Sequence, residues 1–82
     1  MLSREEQLQL KRLDNKIKKW ERRIEELEVE LKEKTVILDE TPYNESEEYK
    51  SLLAGFNATQ KELEEAMATW ENAELEKAEL ED

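Results

Sequence analysis

The chain has 82 residues, of which 44% are charged and 6% aromatic, and its formal net charge is −10. This leaves too little apolar material for a globular core of several layers, although one helical seam needs only two apolar residues per heptad. The lack of cysteine and histidine excludes disulfides and thiolate chemistry, and removes the usual general base and metal ligand. We expect a non-enzymatic helical domain. With no signal peptide and no apolar run of about 20 residues, a cytoplasmic location is the default.

The first predicted helix covers about residues 3–39. Ser3 is a good N-cap, and Glu6, three residues later, completes the pattern of a capping box. Apolar residues then recur at alternating spacings of three and four, the mark of a coiled-coil stripe. The predicted a and d positions are Leu10, Leu13, Ile17, Trp20, Ile24, Leu27, Leu31, Lys34 and Leu38.

A loop at about residues 40–44 is expected to end this helix, because Pro42 disfavours a helical conformation at Thr41. The second helix is predicted over about residues 45–80, capped by Asn44 or Ser46. Gly55 is its weak point, and we interpret it as a tolerated small residue in preference to a hinge. The second stripe contains Tyr49, Leu52, Phe56, Thr59, Leu63, Ala66, Trp70, Ala73, Lys77 and Leu80.

Two stripes of similar length joined by a short break predict an all-α fold, a two-helix antiparallel coiled-coil hairpin forming one domain over residues 1–82. The local turn favours pairing within one chain, so a monomer is expected. Assembly of the same helices between chains, or domain swapping, is the alternative. The two tryptophans are expected to be structural anchors.

The register of this hairpin can be predicted because facing residue numbers in an antiparallel pair add to a constant. A sum of 83 places large residues opposite small ones, for example Leu13 opposite Trp70, and brings Arg23 near Glu62. A slide of one heptad, to a sum of 90, stacks Trp20 on Trp70. That slide also sets Glu30 against Glu62 and Asp14 against Glu74, and it lengthens the loop. We therefore predict the sum of 83.

Charge is unevenly distributed along the chain. Residues 1–23 contain 8 Lys/Arg and 4 Asp/Glu, a balance of +4, whereas residues 24–82 contain 5 and 19, a balance of −14. One hypothesis for the lysines and arginines of the first helix is that they form a solvated face, partly neutralised by Glu71, Glu74, Glu76 and Glu79 on the other helix. The other is contact with a phosphate backbone or an acidic protein. The basic stripe, as we call these candidate nucleic-acid-binding residues, comprises Lys11, Arg12, Lys16, Lys18, Lys19, Arg22 and Arg23.

Acidic residues at the turn offer the other candidate site. Glu45, Glu47 and Glu48 could hold a divalent ion weakly, but a solvated acidic helix start is the favoured interpretation. With one glycine in the chain, a P-loop is excluded. We predict no catalytic residues and no metal ligands.

The opening Leu2-Ser3-Arg4-Glu5-Glu6-Gln7, the leucine-rich helix that follows and the late pair Trp70-Glu71 resemble the C-terminal coiled-coil domain of ABC-F ATPases. That resemblance covers nearly the whole chain. It implies a C-terminal module of a soluble cytoplasmic protein with two tandem ATP-binding cassettes, in which ATP and Mg²⁺ bind to upstream domains. It also implies a partner that is DNA, ribosomal RNA or the ribosome, with no membrane contact.

A second hypothesis is a structural coiled coil that binds proteins and has no role in nucleic-acid binding. The acidic second helix favours it. A protein partner or self-association would support it.

Overall fold

The computed structural model describes residues 1–43 and 47–82, which form two long helices. Helix α1 spans Arg4–Glu40 and helix α2 spans Glu47–Glu81, against expected bounds of about 3–39 and 45–80. The helices pack against each other as an extended hairpin measuring 62 × 15 × 15 Å. The predicted all-α hairpin is confirmed. Neither of these two helices has an apolar stretch long enough to cross a membrane.

The start of α1 is fixed by the capping box that the sequence predicts. The Ser3 hydroxyl accepts a hydrogen bond from the backbone N–H of Glu6 at 3.1 Å. In return, the Glu6 carboxylate accepts one from the backbone N–H of Ser3 at 3.2 Å. Two of the four donors that a helix leaves unpaired at its N-terminus are thereby satisfied. We call the end of the hairpin that contains this cap and the C-terminus of α2 the open end.

The end of α1 also follows the prediction. Thr41, directly before Pro42, has an extended backbone with φ −93° and ψ 121°. Its hydroxyl donates a 2.6 Å hydrogen bond to the carbonyl of Ile37, which satisfies one of the last free carbonyls of the helix. At this tip the rings of Tyr43 and Tyr49 meet edge to face, with centroids 5.1 Å apart. The two expected caps of the second helix, Asn44 and Ser46, lie outside the described residues.

Burial follows the two heptad stripes without exception. Each of the nineteen predicted a and d positions is buried or half-buried. The least exposed is Leu27, at 0% of its surface, and the other buried positions are Leu13, Ile17, Thr59, Ala66 and Ala73. The remaining half-buried residues within the helices are mostly at e and g positions, which flank a coiled-coil seam. The seam therefore lies where the sequence predicts it.

The predicted register, however, is wrong. Lys34 Nζ lies 2.6 Å from Thr59 Oγ1 and 3.4 Å from the carbonyl oxygen of Gly55, and these partners' numbers add to 93 and 89. At the open end Lys77 Nζ lies 2.8 Å from Asp14 Oδ1, a sum of 91. A sum of 83 would place Lys34 opposite Tyr49, about 15 Å from Thr59 at 1.5 Å per residue. The helices have the register that is slid by one heptad.

The slid register is tolerated because three of the four carboxylates expected to repel one another form an ion pair with a cation. Glu30 pairs with Lys34 at 3.1 Å, Glu62 with Arg23 at 2.8 Å and Asp14 with Lys77 at 2.8 Å. The predicted contact of Arg23 with Glu62 is therefore confirmed, although it is reached by a long diagonal side chain. The longer loop between the helices costs little stability, because the entropy lost on closing a loop grows only with the logarithm of the number of its residues.

Gly55 lies within α2, and its carbonyl oxygen accepts the hydrogen bond from Lys34. A Cβ atom built at this position would meet nothing within 4 Å. The glycine is therefore not required for close packing of the helices, in agreement with its interpretation as a tolerated small residue.

Candidate nucleic-acid interface

The basic stripe occupies about three turns of α1 near the open end. Six of its seven side chains are exposed, namely Lys11, Arg12, Lys16, Lys18, Lys19 and Arg22. None of these six forms an ion pair with any residue in the described part of the chain. Their charges are therefore directed to solvent and available to an external partner.

Helical geometry divides the stripe into two lines. Successive residues of a helix are turned by about 100°, so the side chains of the stripe fall into two lines along α1. One line lies on the face directed away from α2, and the other lies beside the groove between the two helices. By heptad position the outward line comprises Lys11, Lys18 and Arg22, although Arg22 also reaches the groove, and the line along the groove comprises Arg12, Lys16, Lys19 and Arg23. Together the two lines cover roughly 160° of the helix surface over about 18 Å. This is a broad cationic face and not a single row.

Arg23 differs from the other six members of the stripe because it is half-buried and paired. Its guanidinium donates to Glu62 across the groove at 2.8 Å and to Glu26 on its own helix at 3.2 Å. The hydrogen bond to Glu62, then that to Glu26, together with the charges of both carboxylates, raises the pKa of Arg23 above its ordinary value. Arg23 therefore holds the two helices together and is the member of the stripe least free to bind a ligand.

The acidic residues of α2 do not neutralise the stripe by direct contact. Among the described residues, no ion pair joins the stripe to Glu71, Glu74, Glu76 or Glu79. The cross-helix pair at this end is instead Asp14 with Lys77. Of the four carboxylates, Glu71, Glu76 and Glu79 are exposed to solvent and Glu74 is half-buried.

Arg4 is a member of this face that the sequence analysis missed. It is the first residue of α1, is exposed, and forms no ion pair with the described residues. The sequence feature that could have identified Arg4 is its heptad spacing from Lys11 and Lys18, which places all three residues on one line of the helix. This line ends at the acidic Glu25, one heptad beyond Lys18.

A groove of about 580 Å³ adjoins the stripe, between the helices on the side of Arg23. Its apolar surface comes from Trp20, Leu27 and Ala66. Its lip on α1 carries Lys19, Arg22, Arg23 and Glu26, whereas the lip on α2 carries Glu62, Glu65 and Thr69. The amine of Lys19 lies 6.0 Å from the centre of the Trp20 ring. An aromatic side chain and free cations thus share one recess.

The acidic candidate site at the turn can be described only in part. Glu47 and Glu48 are exposed in the first turn of α2, where their charge suits the helix dipole, and Glu45 lies outside the described residues. Within residues 1–43 and 47–82, no group of three or more acidic side chains is arranged to hold a metal ion.

Comparison with known proteins adds no assignment. No protein-family profile, curated protein or solved structure matches this chain. The resemblance to ABC-F C-terminal domains therefore stays a prediction. In the structure, its opening residues form the capping box of α1, and Trp70 lies at a seam position of α2.

Proposed function

We propose that this hairpin is a non-catalytic arm that contacts the phosphate backbone of a nucleic acid, DNA or ribosomal RNA, through the exposed face of α1. The observation that carries the proposal is the set of six clustered cations without ion pairs, with the acidic residues of α2 beside them left unengaged. In a chain of net charge −10, a concentrated positive face of this kind favours local contact over general attraction.

The ABC-F resemblance supports the same proposal from the sequence. Under it the hairpin would be an appendage of a cytoplasmic tandem-cassette ATPase, and it would place that ATPase on DNA or on the ribosome. The chemistry of ATP hydrolysis would belong to the upstream domains. The 62 Å rod would contribute reach and a charged surface.

The test is a titration of the hairpin against fluorescent duplex DNA and ribosomal RNA fragments at several salt concentrations. If six cations each neutralise a phosphate, the logarithm of the duplex-DNA binding constant should fall with the logarithm of salt at a slope of about −5. Replacing Lys11, Lys18 and Arg22 by Gln should weaken binding and reduce the magnitude of that slope by about 3.

A matched control changes three other exposed lysines to Gln, Lys32, Lys50 and Lys61. Both variants lose three positive charges, so a general effect of net charge would weaken binding equally in each. The proposal requires that the control bind nearly as well as the parent. Equal losses in the two variants, or no binding at low salt, would refute it.

The second candidate, a protein-binding coiled coil, is favoured by an apolar patch on the acidic half of α1. Val29 and Val36 lie one heptad apart on its outer face and are 58% and 50% exposed, with Ile37 beside them at 46%. If Val29→Lys with Val36→Lys abolished self-association or binding of a purified protein partner, while nucleic acid bound nowhere on the chain, this candidate would replace the first.

A further inference from the structure

We propose that the groove beside Trp20 receives an unpaired nucleobase, so that the hairpin prefers single-stranded to duplex nucleic acid. This inference rests on the proposed function and specifies its ligand. The evidence is the joint placement of an aromatic wall, free cations and an open recess at one point of α1.

The first step is the position of Trp20 relative to the cations. Its side chain is half-buried and lines the groove, and Lys19 lies next to its ring. Lys19 and Arg22 belong to the free cations and also form the groove lip. A strand whose phosphates follow this face would therefore pass directly beside an aromatic ring. Proteins that bind single strands use the same combination of a positive track and stacking aromatics.

The second step is the size of the recess. Its volume of about 580 Å³ lies within the range of about 300–1,000 Å³ typical of small-ligand pockets. The space exists because Ala66 and Thr69 on α2 are small where they face the groove. A base in a duplex cannot enter it, because it is stacked and paired, whereas an unpaired base can turn out of its strand.

The third step is the charge of the opposite lip. Glu65 lines the groove from α2, and its carboxylate forms no ion pair in the described part of the hairpin. A carboxylate accepts hydrogen bonds from the amino and ring N–H groups of a base and repels phosphate. The two lips thus favour a ligand oriented with its backbone over α1 and its base towards α2.

The experiment uses Trp20 as its own reporter. The chain has two tryptophans, and Trp70→Phe leaves Trp20 alone. Trp70 Nε1 is buried without a hydrogen-bond partner among the described residues, so this change leaves no polar group unpaired. Because Trp70 is a half-buried seam residue opposite Trp20, far-UV circular dichroism first checks that the single-tryptophan protein is folded. The single-tryptophan protein is titrated with a 12-nucleotide single strand, the same sequence as a duplex, and a single strand in which abasic sites replace the bases.

We expect the single strand to quench Trp20 fluorescence and to bind at least about fivefold more tightly than the abasic strand, the lower end of the gain from stacking one base. Thr69→Phe, which fills the groove and removes no cation, should abolish the quenching and this preference. Met67→Phe adds the same ring at an exposed position outside the groove and should change neither. Far-UV circular dichroism checks that both variants are folded.

The outcomes separate the two proposals. Salt-sensitive binding of all three nucleic acids with equal affinity, without quenching, would overturn the base-binding groove and leave the phosphate-binding face intact. Failure of every nucleic acid to bind would overturn both. Retention of the single-strand preference in Thr69→Phe would also refute the groove.

Discussion

Lys34 on α1 donates a 2.6 Å hydrogen bond from its amine to the hydroxyl of Thr59 on α2, inside an otherwise largely apolar seam. Thr59 is only 3% exposed, and the lysine is held further by Glu30 at 3.1 Å and the Gly55 carbonyl at 3.4 Å. A polar pair at seam positions selects the register in which both partners meet, at some cost in stability. We infer that the Lys34–Thr59 bond favours the slid register.

The first prediction concerns the energy of this pair. Thr59→Val removes the buried acceptor and should lower the free energy of unfolding by about 1–2 kcal/mol, because the Lys34 amine loses its shortest hydrogen bond. The double variant Lys34→Leu with Thr59→Val replaces both partners by apolar groups and should recover most of this loss. Urea denaturation of the variants measures the difference. A double variant that is less stable than Thr59→Val would contradict this account.

The second prediction concerns the register itself. The chain contains no cysteine, so introduced pairs report without background. Ile17→Cys with Ala73→Cys matches a sum of 90 and should form a disulfide readily, whereas Ile17→Cys with Ala66→Cys matches the sum of 83 and should not. In the Lys34→Leu, Thr59→Val background the second pair should begin to cross-link. Preferential cross-linking of the Ala66 pair in the parent chain would disprove the observed register.

The third prediction concerns Leu27, the one large side chain among residues 1–43 and 47–82 that is fully buried. Leu27→Ala should lower the free energy of unfolding by about 2–5 kcal/mol, through lost burial and the cavity left behind. In a two-helix protein this would remove most of the stability. Val29→Ala, two residues away and 58% exposed in the parent, is the control and should change stability by no more than about 0.5 kcal/mol. Thermal denaturation followed by circular dichroism distinguishes them.

The fourth prediction concerns Gly55. Because a Cβ atom there would meet nothing within 4 Å, Gly55→Ala should gain the full helix propensity of alanine, about 1 kcal/mol, and raise the melting temperature by about 4–8 °C. Ala54→Gly, at an exposed neighbouring helical position, should lower stability by a similar amount. A melting temperature unchanged or lowered in Gly55→Ala would indicate a constraint on this position.

The fifth prediction is a dependence on pH. The hydrogen bond from Lys77 to Asp14, and the negative charge of Asp14, raise the pKa of Lys77 above its ordinary value of 10.5. A raised folded-state pKa stabilises the fold fully below the unfolded value, and that contribution is lost as pH rises through the folded value. The stability difference between the parent and Asp14→Asn should thus be constant from about pH 7 to 9.5 and decline above about 10.5.

Asp39→Asn is the control for this titration, because Asp39 is exposed and forms no ion pair with the described residues. Its stability difference from the parent should not change across the same alkaline range. A decline of equal size in both variants would mean that the Lys77–Asp14 pair is not its source.

The seam of this fold could be predicted from sequence because apolar spacing alone determines which face of a helix is buried. The capping box at Ser3 and the extended conformation at Thr41 were likewise local, since each depends on residues within one turn. The register could not be predicted from neighbouring residues in the sequence. It depends on which groups the long side chains contact on the other helix, and Lys34, Arg23 and Lys77 each reach past the residue directly opposite.

The candidate site was predictable to a similar depth. The composition of the stripe follows from counting charges, and its exposure follows from its heptad positions. The contact of Arg23 with Glu62 was predicted, and Glu26 lies three residues further along the same helix. The groove beside Trp20 could not be predicted, because it depends on which residues of α2 lie opposite. A register that is wrong by one heptad places different residues of α2 along that groove.

The charge of the hairpin is divided across its width near the open end, with the free cations of α1 beside the unengaged carboxylates of α2. Such a body has an electric dipole perpendicular to its long axis. The electric field of a polyanion would therefore exert a torque on the hairpin and rotate it about its long axis until α1 faces the anion. The same rotation would turn the acidic side of α2 outward, so that a complex formed on one helix would present a negatively charged surface with the other.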